Sequence, residues 1–151
     1  MEPYDPLTSM DYSDLISNLC YIGTMARKIY FDGGCKPNPG MMEVCIVVVD
    51  GPNPPVPHVV ANLGRGTNNI AEWSALLWAM SYAVENGWRE IEVIGDSKLV
   101  VSQAAGRWQI KNSEFHSFKS NFDALQSKAD VRLRHVLRNK NLAGKHLDKI
   151  H

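Results

Sequence analysis

Short apolar runs and one long helical stripe organise the chain after residue 26. Residues 28–32, Lys-Ile-Tyr-Phe-Asp, are brief and apolar and predict a first strand ending on Asp32. The β-branched run 42–50 predicts a second, central strand, and 58–64 a third, beyond the proline-rich loop 51–57. The connections are short, so these three form an antiparallel meander. The period then lengthens. Ile70, Trp73, Leu77, Met80 and Val84 recur at helical spacing and predict a helix over 68–87 that Gly87 ends. A fourth strand follows at 90–96, then a short helix at 97–106 with Ser97 as N-cap and Gly106 as stop. A helix at 113–128, a fifth strand at 131–137 and a closing helix at 141–151 complete the pattern. This order predicts an α/β fold: a mixed five-stranded sheet flanked by helices, with strands four and five parallel to strand one.

The first 26 residues lack such patterning and predict an N-terminal extension, partly disordered or a short helix, before one domain over 27–151. Met25 stands directly before the patterned region, as a second start would. The length, with 44% hydrophobic and 21% charged residues, suits one globular domain with a real core. No apolar run approaches about 18 residues, which argues against a membrane partner. No basic region followed by an apolar stretch opens the chain, so no secretory signal is read. Cys20, Cys35 and Cys45 match neither a disulfide framework nor a zinc spacing, which implies reduced thiols and a cytoplasmic location. Zero net charge hides an asymmetry: Glu2, Asp5, Asp11 and Asp14 leave residues 1–24 at −4, and the rest at +4. A mildly basic body fits a polyanionic partner.

Three acids fall at informative places: Asp32 at the end of the first strand, Glu72 in the first turn of the long helix, and Asp96 at the end of the fourth strand. Each alone has an ordinary explanation, as a turn former, a dipole-favoured first-turn acid and a helix cap. Together they mark one end of one sheet, where open sheets with parallel strands collect ligands. Carboxylates gathered there repel one another, and divalent cations relieve that repulsion. Mg²⁺ takes a few carboxylates and completes its shell with water and phosphate oxygens, and a pair of such ions suits phosphodiester hydrolysis.

The stretches "YFDGGCKPNPG", "GTNNIAEWSAL", "VIGDSKLVVSQ" and "GRWQIKN", in this order, resemble type 1 ribonuclease H over about residues 28–148. The resemblance implies a ribonuclease H-like fold and an endonuclease that hydrolyses the RNA strand of an RNA–DNA hybrid. It implies two Mg²⁺ ions, with Mn²⁺ as a substitute, and products with 5′-phosphate and 3′-hydroxyl ends. Asp32, Glu72 and Asp96 match three of the family's four metal-binding acids. Asn38 matches a residue near the RNA strand and Cys35 a backbone position touching RNA hydroxyls, beside Gly33 and Gly34, and Asn68 and Asn69 match groove readers. Thr67 and Asn112 are similar to the pocket that grips a DNA phosphate. Glycines at 33 and 34 would let a sugar-phosphate backbone approach, and Asn amides can both donate and accept at base edges and 2′-hydroxyls. Thr67 or Asn68 would serve equally as a helix N-cap. No obligate protein partner is evident, and a monomer suffices.

The sequence also departs from the family. The fourth acid belongs to an Asn-x-x-Ala-Asp-x-Leu pattern, but "NLAGKHL" puts Lys145 at the acid position, between a matching Asn141 and Leu147. Asp148, nearly a turn later, is the candidate replacement as fourth catalytic and metal-binding acid. The alternatives are that three acids suffice, that Lys145 replaces one ion's charge, or that catalysis is impaired, leaving a weak ribonuclease H-like nucleic-acid-binding module. There is no room for the basic helical insertion some members carry, which implies strongly salt-dependent hybrid binding. The loop histidine of other members is absent too. His135 reads as structural and His146 as a weak site candidate. Trp73 fits the core stripe, while Trp108, beside Arg107, is a candidate for the substrate channel.

Overall fold

The computed structural model describes residues 27–151. The expected N-terminal extension, with Cys20, lies outside the described residues. Strands β1 (Arg27–Cys35), β2 (Gly40–Asp50) and β3 (Val56–Val60) form the meander. A two-residue strand, β4 (Arg65–Gly66), pairs back onto β2, and helix α1 (Asn68–Glu85) follows. Then come β5 (Glu90–Gly95), α2 (Lys98–Ala104), α3 (Glu114–Gln126), β6 (Asp130–His135), a 3-10 turn (Arg138–Lys140) and α4 (Leu142–Ile150). The main sheet runs β3-β2-β1-β5-β6, with β1 antiparallel to β2 and parallel to β5, and β5 parallel to β6.

The five-stranded mixed sheet is as the pattern predicts, and the differences have physical causes. β1 does not stop at Asp32 but continues through Gly33 and Gly34 to Cys35, because β2 supplies partners as far as Met42. The proline-rich loop is shorter than expected. Val56 and Pro57 already belong to β3, which tolerates proline because it is an edge strand. β4 escapes the hydrophobic pattern altogether, since two residues cannot show a period. The stripe on α1 is also rotated from the expected one. Ala71, Ala75, Ala79 and Ala83 are fully buried with Trp73, Leu76 and Met80, whereas Ile70, Leu77 and Val84 are only partly buried. Four alanines let this helix lie close against the sheet.

The main core joins Ile29, Phe31, Val44 and Ile46 of the sheet to α1, α2 and α3. A smaller cluster, Cys45, Val47, Ala143 and Leu147, seats α4 on the sheet's other face, with Tyr30 against it. The alternation of Ile29 and Phe31 with Tyr30 is the period-two side-chain pattern of a strand buried on both faces. Trp73 is fully buried, stacks on Phe118 with ring centroids 5.9 Å apart, and donates its Nε1–H to Gln103 Oε1 at 3.1 Å. Cys35 and Cys45 are buried free thiols. Among the described residues, no helix is long and apolar enough to cross a membrane.

Candidate active site

The parallel register of β1 and β5 builds the site. Lys28 pairs with Glu92, Ile29 with Val93 and Tyr30 with Ile94, and the same offset carries Asp32 to Asp96. Pairing stops after Tyr30, so the two chains open into a cleft where those acids stand. Gly33 brings in the third acid. A Cβ at Gly33 would overlap the carbonyl oxygen of Ala71, so glycine there is what lets α1 rest on β1 and set Glu72 beside Asp32. This glycine therefore serves helix–sheet contact, and it also lines the cleft beside Asp32. Gly34 meets only Asn68 Oδ1, at 3.5 Å from a built Cβ.

One carboxylate oxygen each from Asp32, Glu72 and Asp96 lies within 4.8 Å of the others. Asp32 and Glu72 are 2% and 8% exposed, so they face each other nearly without water. With both ionised, Asp32 Oδ1 and Glu72 Oε2 are buried and have no hydrogen-bond donor among the described residues. Burial, then the neighbouring Asp32 carboxylate, pushes the Glu72 carboxyl well up. Burial also raises Asp32, opposed by a hydrogen bond from Glu72 and by the charge of Arg138. A proton held on Glu72 and shared with Asp32 therefore relieves the pair when no cation does.

Two further residues belong to this constellation: Arg138, not singled out from sequence, and Asn141, matched there to the closing-helix pattern without a role at the acids. Arg138, at the start of the 3-10 turn, places Nη1 2.7 Å from Asp32 Oδ2 and 3.2 Å from Asp96 Oδ2. Its Nη2 lies 3.1 Å from Asp148 Oδ1. Burial works against the Arg138 charge, but the Asp32 and Asp96 carboxylates outweigh it and hold the guanidinium firmly protonated. Asn141 is fully buried, and its Nδ2 donates to Phe31 O at 2.9 Å and to Asp96 Oδ2 at 2.8 Å. Its Oδ1 accepts from Ala143 N at 3.1 Å, so the residue that caps α4 also orients Asp96. Position offered a signal for both: they follow β6, parallel to β5, on the side where Asp96 follows β5.

Asp148 does not join the trio. It is an exposed residue on α4 whose carboxylate meets the other acids only through Arg138. Lys145 is exposed, and its backbone N–H closes the first turn of α4 on Asn141 O at 2.9 Å. His135 has its Nε2 3.2 Å from Asp96 O, and His146 is half-buried on α4.

The expected substrate residues fall into two groups. Asn38 and Asn68 form a latch: Asn68 N–H donates to Asn38 Oδ1 at 3.1 Å, and Cys35 N–H donates to Asn68 Oδ1 at 3.0 Å. Both carboxamide oxygens are engaged internally, so each residue has its Nδ2 donors to offer a ligand. Gly34, Cys35, Asn38, Asn68 and the acids Asp32, Glu72 and Asp148 line one cleft of about 470 Å³. Thr67 is the N-cap of α1, its Oγ1 accepting from Ile70 N at 3.3 Å, and Asn69 is exposed on the first turn. Asn112 is exposed further along, and its Oδ1 accepts from Glu114 N at 3.0 Å at the start of α3. Trp108 is 44% exposed, with Lys98 Nζ 5.9 Å from its ring centroid.

Residues 30–149 match the family model described as reverse transcriptase-like. Ribonuclease HI of Halobacterium salinarum is 40% identical over 85 residues, which is 56% of this chain and 43% of that protein. The bifunctional protein of Mycobacterium tuberculosis is 37% identical over 97 residues, 64% of this chain and 27% of that one. The match thus spans less than half the length of these curated relatives. The crystal structure of the Halobacterium ribonuclease H1 superposes with a TM-score of 0.72 at 34% identity, covering 82% of this chain and 98% of that one. The ribonuclease H domain of the mycobacterial protein gives 0.73 at 33% identity, over 80% and 94% of the two chains. LC11 ribonuclease H1, solved in complex with an RNA/DNA hybrid, gives 0.72 at 26%, over 82% and 98%.

Proposed function

The chain belongs to the type 1 ribonuclease H family, and from that membership we propose that it is a metal-dependent endonuclease that cuts the RNA strand of RNA–DNA hybrids. The observation that carries this reading is the trio of Asp32, Glu72 and Asp96, with two buried oxygens that lack a donor among the described residues. Three hard oxygen ligands, at most singly neutralised by Arg138, suit Mg²⁺ or Mn²⁺. Asp32, Glu72 and Asp96 would hold the ions, with Asp148 the candidate for a further carboxylate at the cleft's mouth. When bound, a pair of divalent ions activates the attacking water and stabilises the leaving oxygen. In-line attack on phosphorus, with departure of the 3′ oxygen, leaves 5′-phosphate and 3′-hydroxyl ends.

The chain's own residues supply position and discrimination. Asn141 fixes the Asp96 carboxylate by a 2.8 Å hydrogen bond. Asn38 and Asn68, held by their latch, present Nδ2 donors to the minor groove, where a 2′-hydroxyl distinguishes RNA from DNA. Gly34, Cys35 and Asn69 extend that surface, while Gly33 seats the helix beneath it. Thr67 and Asn112 are assigned to a DNA phosphate. Free buried thiols fit a reducing, cytoplasmic setting.

A labelled hybrid incubated beside DNA-duplex and RNA-duplex controls, with Mg²⁺ or Mn²⁺, is the test. Only the hybrid is cut, and Asp96→Asn abolishes cutting while the fold persists. Absence of cleavage by folded protein with either ion refutes the enzyme. The second reading, a module that binds hybrid and cuts poorly, is favoured by one feature: Arg138 bonds two of the three acids. Retained hybrid binding without cleavage would establish it.

A further inference from the structure

The mechanism above leaves a charged side chain unused at the centre of the site. Arg138 Nη1 bonds Asp32 Oδ2 and Asp96 Oδ2, and so engages one oxygen from each of two acids of the trio. A guanidinium at 2.7 and 3.2 Å leaves no room for a hydrated ion on those oxygens, and its positive charge repels one. The fold makes a dedicated place for this group. Gly144, buried within α4, faces the guanidinium so closely that a Cβ there would lie 2.7 Å from Nη1 and 2.8 Å from Cζ. A glycine inside a helix costs stability relative to alanine, and at 144 it opens the slot in which Arg138 lies. Asp148 holds the other amino nitrogen at 3.1 Å, outside the trio.

We propose that Arg138 is a displaceable resident cation: it occupies the acidic trio when divalent ions are scarce and must leave Asp32 and Asp96 before they load. Asp148 is the anchor that retains the guanidinium at the mouth of the cleft when it leaves. Side-chain rotation is enough, because the Arg138 side chain is 48% exposed and approaches the cleft from the solvent side, whereas the Asp32 side chain is buried. The trio thereby avoids bare carboxylate repulsion in ion-poor solution, and the divalent-ion requirement becomes a threshold set by this competition. Apparent affinity for an ion falls by the fraction of protein whose site is open.

The inference rests on the proposed function only in taking the trio as a metal site. Calorimetric titration with Mg²⁺, and separately Mn²⁺, in the absence of nucleic acid tests it on three proteins: the natural chain, Arg138→Ala and Gly144→Ala. Arg138→Ala removes the competitor, and the expected result is binding about tenfold tighter. Gly144→Ala keeps the arginine but pushes the flexible guanidinium from its slot, so binding also tightens while the helix is not weakened. An Arg138 that acted through its charge alone would tighten binding in Arg138→Ala but not in Gly144→Ala, which keeps that charge. Should Arg138→Ala fail to fold, Gly144→Ala still decides the matter. Equal or weaker binding in the folded variants overturns the inference alone. Absence of Mg²⁺ and Mn²⁺ binding in all three overturns the proposed metal site with it.

Discussion

Glu72 and Trp73 are neighbours on α1, both buried, and they end in opposite circumstances. Trp73 has its one polar atom satisfied by Gln103 and its ring stacked on Phe118. Glu72 keeps a buried oxygen without a donor among the described residues and faces a second buried carboxylate. One hundred degrees of helix rotation separates a region optimised for the fold from one held against it. Buried polar groups are normally satisfied, so the unsatisfied pair marks where stability has been given up for another purpose. The comparison teaches that burial alone is ambiguous, and that the list of partners separates the two roles.

Several substitutions would sharpen or break this contrast. The largest effect is expected from pairing Asp32→Asn with Trp73→Ala. The first should cut hybrid cleavage by about 10³-fold or more, as loss of a group acting at the developing charge does, and leave the melting temperature of chelated protein unchanged or higher. The second should cost about 3–5 kcal/mol of stability through the cavity left behind, measured by urea unfolding. An Asp32→Asn protein as destabilised as Trp73→Ala would erase the distinction.

Glu72→Gln probes the penalty itself. Burial, then Asp32, holds the Glu72 carboxyl above its ordinary value of 4.5. A group raised on folding contributes its stability below the unfolded value and loses it as pH rises through the folded one. Chelated natural protein should therefore lose stability as pH climbs through that raised range, and Glu72→Gln should not. At about pH 8 the variant is expected to gain roughly 1–3 kcal/mol, the cost of a buried unsatisfied group, with the gap closing toward pH 4.5 and below. Saturating Mg²⁺ should remove the advantage. A pH-independent difference would show that the carboxylate is not penalised.

Asn141 links the two regions and should give the mildest combination of effects. Asn141→Ala removes the cap of α4, at about 1–2 kcal/mol, and frees Asp96 from its 2.8 Å bond. Metal affinity or cleavage should fall by about 10–100-fold, as with other groups that orient a ligand. Asn141→Ser, able to cap but too short to hold Asp96, should recover stability without activity.

Much of the fold was legible because hydrophobic period is a local property. The five main strands and the four helices follow from runs of a few residues. What local pattern could not convey was extent, such as β1 continuing past Asp32 on its partner's account, or β4 existing at all. The three acids were legible as marks on strand and helix ends, since parallel strands place their carboxyl ends together. Arg138 was not, because it forms no motif, and Asn141 was legible only as a match to the closing-helix pattern, not as a partner of Asp96. Each matters through partners at residue separations of 42 and 45 from Asp96.

The amino-acid sequence by itself determined the sheet, its parallel pairing and the end at which carboxylates collect, because periodicity and connection length act along the chain. Only the tertiary structure decided who stands among those carboxylates. Asp148, displaced along α4, meets a guanidinium, and Gly144 opens the space that guanidinium fills. The physical reason is that charge compensation in a dry cleft is settled by ångström distances between distant segments, and no local pattern encodes them.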